Sequence, residues 1–309
     1  MEGVACVDDA ARAFSLLCRL WAATGNPALR SWAEGLLDFV LWMREGEGWW
    51  VNFIYDWEGS RNVDGPTSAP GANYWQARAT CALADAALLL GDERARGFLA
   101  EALAAASAES PPSDIRTLHA LAAIDLLREG TDPWLSTQLE TWCDEIACSR
   151  SGVMLLNFPG ERGQPHLWGH VQEAALADTA AMLGRGDLLE VAVQSADAVF
   201  LEPIRSGFDL PQIQAYDVQS AAFVMDRLAE RTGAQRYGEL GQLARAWFSG
   251  RNPAGFATYD RAAGRVADGI AGGTKVNPDS GAESNIVAGL ALLDDPTVLE
   301  LARSSAGPG

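Results

Sequence analysis

Four acidic residues stand where helices with few other charges are expected to begin. They are Asp9, Glu173, Asp217 and Glu283. Two carboxyl groups that share a site can cleave a glycosidic bond, because one protonates the leaving oxygen while the other activates water or attacks carbon. We therefore treat these four acids as candidate catalytic residues, of which two would act as acid and base.

Each acid also has a purely structural explanation. Aspartate is a common N-cap, and Ser280 and Glu283 have the spacing of a capping box, in which both side chains bond to backbone amides. Glu173 differs because it stands in an apolar helix start beside two histidines and a tryptophan. Burial there would raise the pKa of Glu173 and suit it to a general acid. Capping and catalysis are compatible roles.

Aromatic and polar residues near the same helix starts are candidates for sugar contacts. The chain has 11 tryptophans, several of them in EGWWVNFIYDW at 47–57. An indole face can pack on the CH groups of a sugar ring, and a structural plug in a loop is the alternative. The candidate contact residues are Asp8, Trp49, Trp50, Asn73, Tyr74, Trp75, His166, Trp168, His170, Tyr216, Tyr259, Asp268 and Asn277.

Other chemistries find little support. His166 and His170 have a spacing that can bind zinc on a helix, but Pro165 and Gly169 argue against a continuous helix there. No Cys or acid completes a known ligand spacing, so we predict no metal and no cofactor. CVDD at 6–9 has only part of the D-x-D-D of terpene cyclases, and no P-loop, G-x-G-x-x-G or G-x-S-x-G is present.

Helical periodicity supplies the elements that must position these residues. In ALRSWAEGLLDFVL at 28–41, apolar residues form one stripe and charged residues lie away from it. The same pattern predicts twelve helices, near 9–23, 27–43, 73–90, 92–107, 113–129, 132–148, 170–183, 186–200, 214–231, 235–249, 281–293 and 296–304.

The connections between these helices alternate in length. Short joins with Gly, Asp or Pro, such as TGNP at 24–27, follow odd helices, and mostly long joins such as 250–280 follow even ones. Short joins make antiparallel neighbours, which gives six helical hairpins. The odd helices are Ala-rich and nearly uncharged, as expected of buried helices. We predict one all-α (α/α)6 toroid over 1–309, with the starts of the odd helices on one rim. A solenoid would have more regular repeats.

Composition limits the possible partners. The formal net charge of −18 disfavours nucleic acid and anionic membrane surfaces. No apolar run reaches the length of a spanning helix, and MEGVACVDDA at 1–10 lacks the features of a signal peptide. Five scattered cysteines without C-x-x-C are typical of reduced thiols, so we expect a cytoplasmic protein. The early first helix leaves open that the chain is the toroid part of a longer protein.

Three stretches resemble bacterial six-hairpin, glycosidase-like (α/α)6 proteins. They are CVDDAARA at 6–13, QEAALADTAAML at 172–183, and 247–293, in which W-F-x-G-x-N precedes Y-D, D-G, V-N and G-A-E-S. The resemblance implies work on carbohydrates and, since such proteins often stand beside or are fused to sugar-transferring enzymes, a possible glycosyltransferase partner. One segment departs from the pattern: GANYWQARA at 71–79 replaces an acidic, His-containing helix start.

The combined expectation is an enzyme that hydrolyses a glycosidic bond of an oligosaccharide or glycoside, with inversion. A polysaccharide lyase or sugar epimerase on the same toroid is the alternative enzyme, and it would abstract a proton beside a carboxylate instead. A non-catalytic glycan-binding or accessory domain is the alternative outside enzymes, and the altered segment at 71–79 keeps it open.

Overall fold

The helices lie where the sequence places them. The computed structural model describes residues 2–46, 48–109 and 111–307, and all twelve predicted helices occur there, with one short helix in addition. They are α1 Val7–Thr24, α2 Pro27–Trp42, α3 Tyr74–Asp85, α4 Glu93–Ala108, α5 Ser113–Glu129, α6 Pro133–Cys148, α7 Gln172–Leu183, α8 Gly186–Val199, α9 Leu201–Arg205, α10 Ala215–Thr232, α11 Gln235–Arg245, α12 Ala282–Ala291 and α13 Pro296–Ser304.

The chain forms two compact units, and the predicted single domain stays a prediction. The first unit comprises Met1–Pro111, Leu118–Gln138 and Leu293–Gly309. Within it α1 packs against α2, α3 and α13, and α3 packs against α4. Gly25 ends α1 in the left-handed conformation, with φ of 70°, which a glycine adopts without steric cost. This short turn reverses the chain into α2, as the TGNP join predicts.

The second unit comprises Pro112–Thr117 and Leu139–Leu292. Within it α7 pairs with α8 and α10 with α11, while α10 also packs against α7 and α12. Every residue in the first nine positions of α7, from Gln172 to Ala180, is buried. The small side chains that identify this helix as an inner one in the sequence are therefore those that let it pack on several sides. None of the helices in the described ranges is both long and apolar enough to cross a membrane.

The strands are short and lie in the connections. They are β1 Ala5–Cys6, β2 Arg44–Glu45, β3 Trp49–Trp50, β4 Phe53–Ile54, β5 Arg150–Ser151, β6 Met154–Leu155, β7 Gln212–Gln214, β8 Tyr259–Asp260, β9 Arg265–Val266, β10 Gly269–Ala271 and β11 Lys275–Asn277. In the second unit β10 lies between β7 and β11, both antiparallel to it, and Gly269 faces Gln214. A Cβ at Gly269 would stand 2.3 Å from the Ile213 carbonyl oxygen, so this register needs glycine.

The predicted capping box of the last inner helix is wrong. Gly281, not Ser280, is the N-cap of α12, and a glycine has no side chain with which to cap the helix. The Ser280 hydroxyl instead accepts from the Asn285 side chain at 2.9 Å. Glu283 is therefore the second residue of α12 rather than the third, and a different acid occupies a capping position in this unit.

Candidate functional site

That acid is Asp217, the third residue of α10. Its Oδ2 accepts from the backbone N–H of the N-cap residue Gln214 at 2.8 Å, and its carboxyl group also accepts from the backbone N–H of Trp168. Only 9% of the residue is exposed. Burial, and to a lesser degree the charge of Glu283, raises the pKa of Asp217 to about 7, although both backbone bonds oppose the rise. Asp217 is thus poised to hold or release a proton near neutral pH.

Glu283 supplies the second carboxyl group because α10 and α12 are packed together. It is half-buried, and its charge acts on Asp217. The start of α12 is held by Asp268, whose Oδ1 accepts from the Gly281 N–H at 2.8 Å. Since Asp268 directly precedes β10, and β10 pairs with the strand before α10, the sheet ties the two helix starts together.

An aromatic cluster adjoins Asp217, formed by Phe158, His166, Trp168 and Tyr216. The His166 and Trp168 rings stack with centroids 4.1 Å apart, Tyr216 meets Trp168 edge-on at 6.3 Å, and Phe158 lies 6.3 Å from His166. Trp168 and Phe158 are 39% and 42% exposed. The cluster therefore presents aromatic surface beside an acid, the combination that suits a sugar ring.

The orientation of His166 is fixed by its own loop. Its Nδ1 lies 2.9 Å from the Trp168 carbonyl oxygen, which can only accept, so Nδ1 carries the proton. Its Nε2 lies 3.8 Å from Oδ2 of Asp114. Burial lowers the pKa of His166 in spite of that carboxylate, which favours the neutral ring with an unprotonated Nε2.

Glu173 does not have the raised pKa expected from its apolar surroundings. It is fully buried, but His170 Nε2 lies 3.0 Å from its Oε1 and the Ser195 hydroxyl donates to the same oxygen at 2.5 Å. Burial alone would raise the pKa of Glu173; the His170 charge and these hydrogen bonds outweigh it and hold the pKa below its usual value. With no exposed surface, Glu173 is poorly placed to protonate a substrate.

Candidates in the first unit form ion pairs. Arg12 bonds to Oδ1 of Asp9 at 2.8 Å and reaches Oδ2 of Asp8 at 3.4 Å, and Arg78 lies 3.5 Å from the other oxygen of Asp8. The Asp8 backbone N–H is bound by the Asn52 side chain. These partners give both aspartates a structural explanation, and the proposed catalytic role of Asp9 stays a prediction.

The aromatic residues of the first unit differ in accessibility. Trp50 is fully buried and donates from Nε1 to the Val40 carbonyl at 2.7 Å, so its predicted sugar contact is not available in this structure. Trp49, Tyr74 and Trp75 are half-buried, and Trp75 donates to the Trp50 carbonyl. Asn73 is half-buried too, and caps α3 by accepting from the Gln76 N–H.

Three remaining candidates lie in the connection before α12. Tyr259 is 8% exposed, with the Arg261 guanidinium 5.4 Å from its ring centroid. Asp268 holds Gly281 as described above, and Asn277 is exposed and accepts from the Asp279 N–H. Their predicted sugar contacts stay predictions. In the described part of the chain, no group of three or more His, Cys, Asp or Glu side chains could hold a metal ion.

Sequence comparisons find nothing: no family model and no curated protein matches the chain. Solved structures do match. A D-mannose isomerase has a TM-score of 0.71 at 10% identity, covering 94% of this chain and 87% of its own. A cellobiose 2-epimerase from Bacillus thermoamylovorans scores 0.69 at 10% identity, covering 95% and 89%, and a polysaccharide lyase scores 0.66 at 14%, covering 100% and 94%.

The chain has the (α/α)6 toroid fold. The predicted fold class and the resemblance to six-hairpin (α/α)6 proteins are therefore confirmed. At these identities the likeness is one of fold, and the chemistry of the toroid must be argued from its own residues.

Sequence reasoning missed three residues that organise the second unit: Asn157, Ser195 and Ser220. Asn157 joins His170 to the loop before it, Ser195 bonds to Glu173, and the Ser220 hydroxyl accepts from the Gly169 N–H at 3.1 Å. Asn157 lies in a long connection and the serines lie inside helices, so no spacing in the sequence marks them.

Proposed function

We propose that this toroid is a carbohydrate-active enzyme that hydrolyses a glycosidic bond, with Asp217 as proton donor and Glu283 as base. The proposal is carried by one arrangement. Two carboxyl groups stand on the first turns of packed helices, and the charge of Glu283 acts on Asp217. The aromatic cluster of Phe158, His166, Trp168 and Tyr216 adjoins Asp217.

The two carboxyl groups have different roles because their surroundings differ. The buried Asp217 carries a proton near neutral pH and gives it to the glycosidic oxygen as the bond to the anomeric carbon breaks. Glu283 takes a proton from water as the water oxygen attacks that carbon, which inverts the configuration. Proton transfer back through solvent restores both groups.

The aromatic cluster is the proposed sugar-binding surface. Trp168 is 39% exposed, and its backbone N–H is bound by the Asp217 carboxyl group, so the residue lies next to the acid. A ring packed on this indole would bring its glycosidic oxygen toward the acid.

Proton abstraction from a sugar is the second candidate function, and His166 favours it. Burial favours the neutral ring with an unprotonated Nε2, and Asp217 in the same unit carries a proton near neutral pH. A base and an acid of this kind can move a proton at carbon, as epimerisation, isomerisation and β-elimination all require. The similarity in fold to an isomerase, an epimerase and a lyase supports keeping this candidate.

The two functions are separated by incubating the protein with a panel of oligosaccharides, including uronate-containing ones, in D2O. Hydrolysis releases reducing ends, elimination yields an unsaturated uronate absorbing near 235 nm, and epimerisation or isomerisation exchanges a carbon-bound hydrogen for deuterium in the proton NMR spectrum. Hydrolysis by the proposed pair requires that Asp217→Asn and Glu283→Gln each lower the rate at least about 100-fold.

Asp187→Asn is the matched control, because Asp187 also lies in the first turn of a helix of the same unit but is exposed and paired with Arg185. Full activity of a folded Asp217→Asn protein would exclude the proposed acid. Binding of glycans without any turnover would support the glycan-binding alternative and contradict the enzyme proposal.

Two further expectations accompany the proposal. A cytoplasmic location is supported by the cysteines, all five of which are unpaired. A glycosyltransferase partner, which the resemblance to six-hairpin proteins implies, stays a prediction, and co-purification with a neighbouring sugar-transferring enzyme would test it.

A further inference from the structure

A fully buried polar network runs from Glu173 toward the candidate acid. Glu173 binds the Ser195 hydroxyl and His170 Nε2 through one oxygen, and His170 Nδ1 lies 2.7 Å from Oδ1 of Asn157. Glu173, His170, Ser195 and Asn157 all have no exposed surface. Burying polar groups costs folding free energy unless all of them are hydrogen-bonded. We therefore looked for a function of this buried arrangement.

The hydrogen bonds fix the direction of the network. The Asn157 amide nitrogen donates to Glu161 Oε1 at 3.1 Å and to the His166 carbonyl at 3.0 Å, so Oδ1 is the end that faces His170. His170 Nδ1 must therefore donate to that oxygen. The second ring nitrogen then meets Glu173, and the pair can hold the imidazole in one orientation.

Hydrogen bonds from the same network hold the segment 166–169. The Asn157 side chain holds the carbonyl of His166, His166 holds the carbonyl of Trp168 through Nδ1, and Ser220 holds the N–H of Gly169. Gly169 has a φ of 68°, a turn that a residue with a side chain rarely adopts. This turn leaves the Trp168 N–H bound to the Asp217 carboxyl group.

We propose that Glu173 and His170 are a positioning pair, which acts through Asn157 to hold the segment 166–169 and thereby the Trp168 amide against Asp217. Neither residue touches a substrate. The inference rests on the proposed function only where it gives Asp217 a catalytic use. The contacts themselves are present in the structure whatever the activity is. It gives Glu173 a role different from the general acid that the sequence predicts.

The role has a consequence that a merely structural ion pair lacks. The Trp168 N–H bond stabilises the ionised form of Asp217, so loss of that bond raises the pKa of Asp217 further. Glu283 is the one charged side chain identified as acting on Asp217 in the described residues, and the substitutions below leave it unchanged. Losing one hydrogen bond of typical strength to a charged carboxylate corresponds to a rise in the pKa of that carboxyl group of about one unit.

The test uses Glu173→Leu, which leaves His170 without its acid, and Glu173→Gln, which keeps an oxygen that can accept from both Ser195 and His170 Nε2. The pKa of Asp217 is read from its carboxyl carbon by NMR, assigned with Asp217→Asn, and the exchange of the Trp168 and Gly169 amides is followed by hydrogen exchange. We expect Glu173→Leu to raise that pKa by about one pH unit and to speed both amides at least about tenfold, with Glu173→Gln restoring most of each.

Asp178→Asn is the matched control. Asp178 lies on α7 as well, is also buried, and pairs with Arg231 at 2.5 Å and Arg227 at 3.7 Å, apart from the network. It should lose stability without moving the titration of Asp217. If Glu173→Leu fails to fold, Ser195→Ala removes one of the two partners of Glu173 and is judged by the same two measurements.

An unchanged Asp217 titration and unchanged amide exchange in a folded Glu173→Leu or Ser195→Ala protein would overturn the inference. An effect of Asp178→Asn equal to that of Glu173→Leu would also overturn it. Neither measurement uses turnover, so a failure of the hydrolase proposal in the oligosaccharide assay remains distinguishable from a failure of the positioning pair.

Discussion

Asp217 on α10 lies buried beside the charge of Glu283 on α12, and burial together with that charge raises the pKa of Asp217 to about 7. In the sequence these two first-turn acids look equivalent. In the structure Asp217 carries a proton near neutral pH, and Glu283 is the neighbouring charge.

The buried Asp217 should make stability depend on pH. Its folded-state pKa of about 7 lies above the ordinary value of 3.8, so the folded protein binds the extra proton between these limits. The contribution to stability is full below pH about 4 and is lost as the pH rises through about 7, up to about 4 kcal/mol in all. Urea unfolding from pH 4.5 to 8.5 should show Asp217→Asn gaining stability relative to the wild type as pH rises. A constant difference would contradict the raised pKa.

Replacing Glu283 should lower the pKa of Asp217. Glu283→Gln removes a neighbouring negative charge, but burial is the larger cause, so the pKa falls and still stays above 3.8. Carboxyl NMR titration measures it directly. Glu300→Gln is a suitable control, because Glu300 is an exposed acid on α13, a helix of the other unit. An unchanged pKa of Asp217 in the Glu283→Gln protein would show that the charge of Glu283 does not act on Asp217.

Removing the Asp268 side chain should loosen the start of α12. In Asp268→Ala the Gly281 N–H loses its acceptor, so its amide exchange should speed up and Glu283 should act less strongly on Asp217. The pKa of Asp217 should then fall, by less than in Glu283→Gln. A rise in that pKa, or unchanged Gly281 exchange, would show that Asp268 does not position α12.

Gly269→Ala should disrupt the sheet that precedes α10. The added methyl group would stand 2.3 Å from the Ile213 carbonyl oxygen, which must move and break the β7–β10 pairing, at about 1–3 kcal/mol. Gly238→Ala is the matched control, since Gly238 lies on α11 and its added Cβ would meet only the Ala229 side chain, at 4.0 Å. That variant should be as stable as the wild type or more so. Equal stability of the two alanine variants, by urea unfolding, would argue against the register.

The thiols should differ in reactivity. Cys148 is exposed, whereas burial raises the pKa of Cys18 and of Cys143 to about 12 and keeps both thiols protonated. A disulfide reagent at pH 7 should therefore modify Cys148 rapidly in the native protein, and Cys148→Ser should abolish that phase. Rapid modification of a buried thiol in the folded Cys148→Ser protein would show that the packing is looser than described.

The sequence was sufficient for the helices because their signals are local. Periodicity and turn residues such as the glycine of TGNP act within a few positions, and the helix bounds follow them closely. Asp217 and Glu283 could be selected as candidates for the same reason, since both stand in the first turn of a predicted inner helix.

The electrostatics of the site could not be predicted, because they depend on residues far apart in the chain. The pKa of Glu173 is lowered rather than raised because the charge and hydrogen bond of His170, with the bond from Ser195, outweigh burial. His170 is itself held by Asn157, 13 positions away, and Ser195 lies 22 positions from Glu173. The expected box at Ser280 and Glu283 is absent because Asp268 and Asn285 hold that turn instead. Sequence spacing describes neither set of contacts.

The most direct test of the central claim is the pH dependence of oligosaccharide turnover by the wild-type protein and by Asp217→Asn. Donation of a proton by Asp217 predicts a wild-type rate that declines above pH about 7, as that carboxyl group loses its proton, and a rate at least about 100-fold lower in the folded variant. A folded Asp217→Asn protein with the wild-type rate and the same decline above pH 7 would contradict it.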